Sequence, residues 1–145
     1  MVVTDLDATA ATLSAVLGYE WGPEIGGPIA VDLPDGSTTI IELKFRYSTT
    51  VPRLEIIRSV AGSLWEPVRD AGIHHTGYWS DDVAADVAAL TRYGYRIEAT
   101  GKAGNGQMLF AFLSGAHGFR VELVNRAVEP GLAQCWTADD SASDA

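Results

Sequence analysis

The feature that most constrains this chain is an internal repeat. Residues 2–21 read VVTDLDATAATLSAVLGYEW, and residues 77–97 read GYWSDDVAADVAALTRYGYRI. Each copy starts as a short strand, passes an acidic turn, runs into an Ala-rich stretch, meets a Gly and restarts on an aromatic. Leu6, Ala10, Leu13 and Leu17 recur at helical spacing in the first copy, and Val83, Val87 and Leu90 do so in the second. Thr4 or Asp5, and Ser80 or Asp81, are candidates to cap the first helical amides. Gly18 and Gly94 suit the C-terminal caps.

The second halves of the copies match as well. PRLEIIR (52–58) and FRVELVN (119–125) both carry Arg, a one-residue gap, Glu, and then alternating apolar residues. On a strand, Arg53, Glu55 and Ile57 share one face, as do Arg120, Glu122 and Val124. Between helix and final strand each copy has room for two more strands. These fall at about 28–33 and 37–46, joined by a turn at Leu33–Gly36, and at about 95–100 and 106–113, separated by a Gly/Asn loop at 101–106. The expected fold class is α+β: two βαβββ modules forming a cupped mixed sheet around a pocket. One domain over 1–130 is expected, with module one at about 1–58, a linker at 59–72 and module two at about 73–126. Residues 131–145 read as a C-terminal extension with little periodic signal, ending in a disordered acidic tail.

Composition sets limits on function. A 47% apolar content supplies a core, and a formal net charge of −9 with eight scattered Arg and two Lys disfavours nucleic acid as a partner. Cys135 is the single cysteine, which excludes an internal disulfide and suits a reducing compartment. No stretch reads as a membrane span, and the start lacks the pattern of a signal peptide, so a cytoplasmic location is expected.

The chemistry centres on three side chains. His74 and His75 are adjacent, so on a strand they face opposite ways. The repeat puts His75 on the face of Gly77 and Trp79. If Glu55 and Glu122 turn to the same concavity, an imidazole and two carboxylates converge, a set suited to Mn²⁺, Fe²⁺, Ni²⁺, Co²⁺ or Zn²⁺. Arg53 and Arg120 are rival partners for the two carboxylates.

The segments VVTDLDAT, RLEIIRSVAGSLWEP, HHTGYWSDDV and GFRVELVN, with their spacing, resemble the vicinal oxygen chelate superfamily, which includes glyoxalase I, methylmalonyl-CoA epimerase, extradiol dioxygenases and bleomycin-resistance proteins. The resemblance covers about residues 1–126. It implies paired βαβββ modules and metal ligands from the first and last strand of each, here His75, Glu55 and Glu122. The first-strand His of module one has no counterpart; aligning Asp5 with Asp82 puts it two positions before Met1. A start lying inside that strand is the favoured explanation. The alternatives are a pocket used without a full metal set, and a position filled by water or substrate.

Trp79, Trp65, Tyr47, Gln107 and Phe112 are the candidate substrate-binding residues. Asn105 and Gly106 are read as a hairpin turn in preference to a mobile loop over the site. The first functional expectation is a metal-dependent isomerase or lyase acting on a small carbonyl-containing molecule. In it an enolate is stabilised and Glu55 or Glu122 moves the proton. The second is a non-catalytic, drug-binding protein that stacks a flat ligand on its aromatics. An extradiol oxygenase, which wants two His, is weaker, and an acyl-CoA epimerase is disfavoured because no basic run meets a CoA tail. A homodimer is the expected assembly.

Overall fold

The computed structural model describes residues 1–69 and 72–137, so most of the acidic tail expected at the C-terminus lies outside the described residues. The elements are β1 (Val2–Val3), α1 (Leu6–Leu17), β2 (Ile25–Asp32), β3 (Thr38–Tyr47), β4 (Glu55–Arg58), β5 (Thr76–Ser80), α2 (Val83–Arg92), β6 (Arg96–Lys102), β7 (Met108–Ser114), β8 (Arg120–Asn125) and α3 (Glu129–Ala133), with a 3₁₀ turn at Arg126–Val128. The βαβββ order therefore occurs twice. Among the described residues, no helix is long and apolar enough to cross a membrane.

All eight strands join one mixed sheet in the order β1-β4-β3-β2-β6-β7-β8-β5. In each half the first strand pairs in parallel with the last, β1 with β4 and β5 with β8. The other pairings are antiparallel, and the halves meet where Asp32 of β2 faces Thr100 of β6. The sheet curls into a cup. Glu55 on β4 and Glu122 on β8 sit near opposite ends of the strand order, yet both contact His75.

Period-two alternation sorts the side chains into layers. On β4, Ile56 faces outward and packs under Leu6 and Ala10 of α1, while Ile57 joins the core inside the cup. Ile56 is fully buried, and a side chain of that size contributes about 1.5–3 kcal/mol. On β7 and β8, Ala111, Leu113, Val121 and Leu123 face outward under Val83 and Val87 of α2. Phe112 faces inward with Val31, Leu43, Ile57 and Trp65.

The helices follow the repeat with three corrections. Asp5 caps α1 through the Ala8 amide, and Gly18 closes it in the left-handed region (φ 73°). In the second copy the cap is Asp82, which accepts from Ala85. Ser80 and Asp81 are engaged elsewhere: Ser80 donates to Asp86, and Asp81 accepts from Arg126. The second copy's C-cap is Tyr93, with Gly94 (φ 86°) following it. Leu17, expected on the packed stripe, is 63% exposed, because the cluster under α1 ends at Leu13.

The larger departure is at the C-terminus. The segment with little periodic signal forms α3 and returns across the open end of the cup. Gly22 makes that path possible: a Cβ there would stand 2.0 Å from the Cys135 carbonyl oxygen. The next residue, Trp136, packs edge-on against Tyr47 with ring centroids 5.0 Å apart.

Candidate metal centre and its pocket

Each half of the sheet carries one carboxylate at the same place. Glu55 lies opposite Tyr47 in the β3–β4 pairing, and Glu122 lies opposite Phe112 in the β7–β8 pairing. His75 stands just before β5, two residues ahead of Gly77, which is the partner of Glu122. Curling brings these three side chains together. His75 Nε2 is 3.1 Å from Glu55 Oε2 and 3.2 Å from Glu122 Oε2. One ligand atom from each residue falls within 4.8 Å of the others.

Neither rival arginine neutralises the pair. Arg120 grips Glu98 with Nε at 2.5 Å and Nη2 at 3.0 Å. Arg53 donates to the Ser48 carbonyl and lies over the Trp136 ring, 4.8 Å from its centroid. Two half-buried carboxylates therefore share one imidazole. Even with His75 protonated the three groups carry excess negative charge, and a divalent cation is a fitting counterion for one nitrogen and two oxygens at these spacings.

The protonation states follow from position. Burial opposes charge on His75, but the hydrogen bonds to Glu122 and Glu55 and their negative fields prevail, raising it to about 9. Glu55 is also penalised by burial, yet His75 and the Tyr47 hydroxyl hold it below the ordinary carboxylate range. Glu122 is pushed up by burial and by the charge of Glu55. The register explains part of this split, because Glu55 faces a tyrosine where Glu122 faces a phenylalanine.

His74 also serves the site, contrary to the expectation that neighbours on a strand must separate. Both histidines precede β5, where strict alternation does not apply. His74 Nε2 lies 2.8 Å from the Leu64 carbonyl, which accepts only, so Nε2 carries the proton. Burial holds the ring neutral, down at about 4. Its Nδ1, 2.9 Å from His75 Nδ1, is then an acceptor. When His75 is neutral its proton resides on Nδ1, leaving the Nε2 lone pair aimed between the two carboxylates. An outer hydrogen bond fixes a ligating imidazole in this way.

The triad floors a cavity of about 490 Å³, within the range of small-molecule sites. Tyr47 and Trp79 line it, as the sequence reading expects, together with Gly77, where the missing side chain leaves Glu122 open. Trp65 does not form a rim. It is buried in the core inside the cup and packs edge-on against Phe112. Phe112 is buried too and supports the His75 ring from below, with centroids 5.2 Å apart. Gln107 sits in the exposed β6–β7 hairpin, away from the cavity, where Gly106 donates to Ala103 and closes the expected turn. Leu132, Trp136 and Arg53 line the wall instead. Trp136 had no periodic signal to announce it, although an isolated Trp in an otherwise plain segment was a clue.

The first-strand ligand that the resemblance implies for module one would belong beside β1. Val2 pairs with Ile57, so the position that this register sets opposite Glu55 would be two residues before Val2. His75 precedes Gly77, the strand partner of Glu122, by two residues. In that register the equivalent of His75 would be four residues before Val2 and three before Met1; seven residues before Asp5 is the same place, so the count of two positions is one short.

Comparison with known proteins agrees with this architecture. Methylmalonyl-CoA epimerase in complex with methylmalonyl-CoA and NH₄⁺ aligns with a TM-score of 0.54 and 21% identity, over 86% of this chain and 88% of that one. A single-substitution variant of the Streptomyces coelicolor methylmalonyl-CoA epimerase, in complex with 2-nitronate-propionyl-CoA, aligns at 0.55 and 20%, over 86% and 91%. Likeness at this identity establishes the fold. No curated protein matches the sequence. A sequence profile of the glyoxalase/bleomycin resistance protein/dioxygenase superfamily matches residues 1–112. With the doubled βαβββ order and the curled sheet, that match places the chain in the glyoxalase/bleomycin resistance protein/dioxygenase superfamily.

Proposed function

We propose that this protein is a glyoxalase-like, metal-dependent isomerase or lyase acting on a small carbonyl-containing molecule. The observation that carries the reading is the convergence of His75, Glu55 and Glu122 on the floor of an otherwise largely apolar cavity. His75 Nε2 and one oxygen each of Glu55 and Glu122 would hold the ion. A divalent ion there supplies a Lewis acid that polarises a carbonyl and offsets charge growing on its oxygen.

The chain's own groups do the rest. Glu122 is the better proton carrier of the two, because in the metal-free site burial and the charge of Glu55 raise its affinity for a proton while that of Glu55 is lowered. Gly77 keeps the space beside its Oε2 clear. Glu55, held ionised by His75 and Tyr47, contributes fixed negative charge. Trp79 and Trp136 exclude water and orient the ligand. The two epimerases of like fold bind CoA esters, but the cavity here offers a single Arg among its described lining residues. A ligand smaller and less charged than a CoA ester suits it better.

The test is exchange chemistry. Manganese-loaded protein is incubated in D₂O with a panel of small carbonyl compounds bearing an acidic C–H, and deuterium uptake is followed by NMR. Uptake abolished by a chelator, and by Glu122→Gln at a manganese concentration that keeps the variant loaded, is the expected result. Uptake indifferent to both contradicts the proposal.

The aromatic wall of Tyr47, Trp79 and Trp136 favours one second reading, a binding protein that sequesters a flat ligand. Ligand-dependent quenching of tryptophan fluorescence with no deuterium exchange would select it.

A further inference from the structure

Arg53 is the feature that the metal-centre reading leaves unused. Among the described residues it is the one Arg or Lys side chain lining the cavity. Six of the other nine basic side chains form ion pairs: Lys44 and Arg58 with Glu24, Arg46 with Asp7, Lys102 with Asp32, Arg120 with Glu98 and Arg126 with Asp81. Arg53 has no acidic partner among the described residues. It is held nonetheless. One Nη1 proton goes to the Ser48 carbonyl, and Ser48 is itself buried and bonded to the Leu54 amide. The guanidinium carbon lies over the Trp136 ring. A guanidinium has five N–H donors in a planar fork, and one is accounted for among the described residues. Arg53 is exposed, and its remaining edge, open at the cavity, has no partner among the described residues in a chain whose net charge is −9.

Charge balance says what belongs there. A divalent ion offsets Glu55 and Glu122, so Arg53 leaves the lining side chains with one positive charge in excess. That excess matches a monoanionic group, and a planar fork matches a carboxylate. We infer that the cavity receives a small carbonyl compound bearing a carboxylate, with Arg53 binding the carboxylate while the carbonyl faces the His75–Glu55–Glu122 floor. This rests on the metal-and-carbonyl reading above and adds the substrate class. Arg53 and Glu55 are two residues apart and both line the cavity, no more than about 7 Å apart along the backbone, so the carboxylate stands a few bonds from the carbonyl.

The experiment compares 4-oxopentanoate and 5-oxohexanoate with their methyl esters, by tryptophan fluorescence, on manganese-loaded wild-type protein, Arg53→Gln and Arg53→Lys. Manganese uptake is measured separately by EPR on all three. The expected result is manganese uptake unchanged by either substitution. Wild type should favour the free acid over its ester by about tenfold or more for at least one chain length. Arg53→Gln should bind acid and ester alike, at the wild-type ester affinity, and Arg53→Lys should retain part of the preference. Absence of acid–ester discrimination in wild type at both lengths overturns the inference, as does discrimination that survives in Arg53→Gln. Wild-type protein that takes up no manganese contradicts the metal reading alone. The acid–ester comparison is then made on the protein as purified and still decides the role of Arg53.

Discussion

The two halves of the sheet place the same residues at the same points and use them differently. Arg53 and Arg120 each precede a site glutamate by two residues. Arg120 is locked in a two-point pair with Glu98, whereas Arg53 rests on Trp136 and faces the cavity. Glu55 and Glu122 occupy matching registers, but one faces Tyr47 and the other Phe112. A repeat thus fixes where a side chain stands. Its neighbours across the strand and from the C-terminal segment decide what it does. In module two the arginine serves stability, and in module one it is left for a ligand.

The largest effect should come from the centre on which both halves converge. His75→Ala is expected to lower Mn²⁺ affinity by about 100-fold or more, read by calorimetry or EPR, since even loss of a partner outside the ligand shell costs about 10–100-fold. Unchanged uptake would remove His75 from the centre. His74→Phe keeps the volume and deletes the acceptor for His75 Nδ1. It should weaken Mn²⁺ by about tenfold or more while the protein stays folded by near-UV circular dichroism. Wild-type affinity in a folded His74→Phe variant would show that His74 is packing only.

The arginine contrast is tested by stability. Arg120→Ala strands Glu98 in a half-buried position and should cost about 1–3 kcal/mol in urea denaturation, whereas Arg53→Ala should cost under about 1 kcal/mol. Equal losses would erase the distinction between the two positions.

In metal-free protein the paired histidines should titrate in opposite directions. His75, raised to about 9 in the fold, adds stability that is complete below its unfolded value near 6.5 and fades as pH rises through 9. His74, lowered to about 4, works against stability as pH falls from about 6.5 toward 4, because the unfolded chain then takes a proton that the native ring refuses. Ring-proton NMR should find His75 charged and His74 neutral at pH 7. Two rings titrating together near 6.5 would contradict the network. The smallest effect is expected from Tyr47→Phe, which makes module one resemble module two at this register. It should raise Glu55 by removing one donor, a change of about 1 kcal/mol, read as a shift in the pH dependence of Mn²⁺ uptake.

How much of this was legible in the sequence follows the same division. The doubled βαβββ order, the pairing of Glu55 with Glu122 and the choice of His75 over His74 for the floor came from periodicity and repeat, which are local signals. Asp82 as the cap escaped because Ser80, Asp81 and Asp82 are all able caps, and tertiary bonds to Asp86 and Arg126 removed the first two. Trp65 and Phe112 looked like pocket aromatics and became core, because the curl of the sheet buries whatever faces inward beyond the floor. Trp136 joined the site through the return of a segment with no period of its own, steered by the close approach at Gly22. Residues that depend on long-range packing are the ones a strand pattern cannot place.

The central claim is that the two halves together hold one divalent cation on His75, Glu55 and Glu122. Its most direct test is elemental analysis of protein purified without a metal-affinity tag, before and after reconstitution with Mn²⁺. The account predicts one divalent ion per chain after reconstitution, with uptake lost in His75→Ala. No stoichiometric metal in the reconstituted wild type, or equal uptake by the variant, would contradict it.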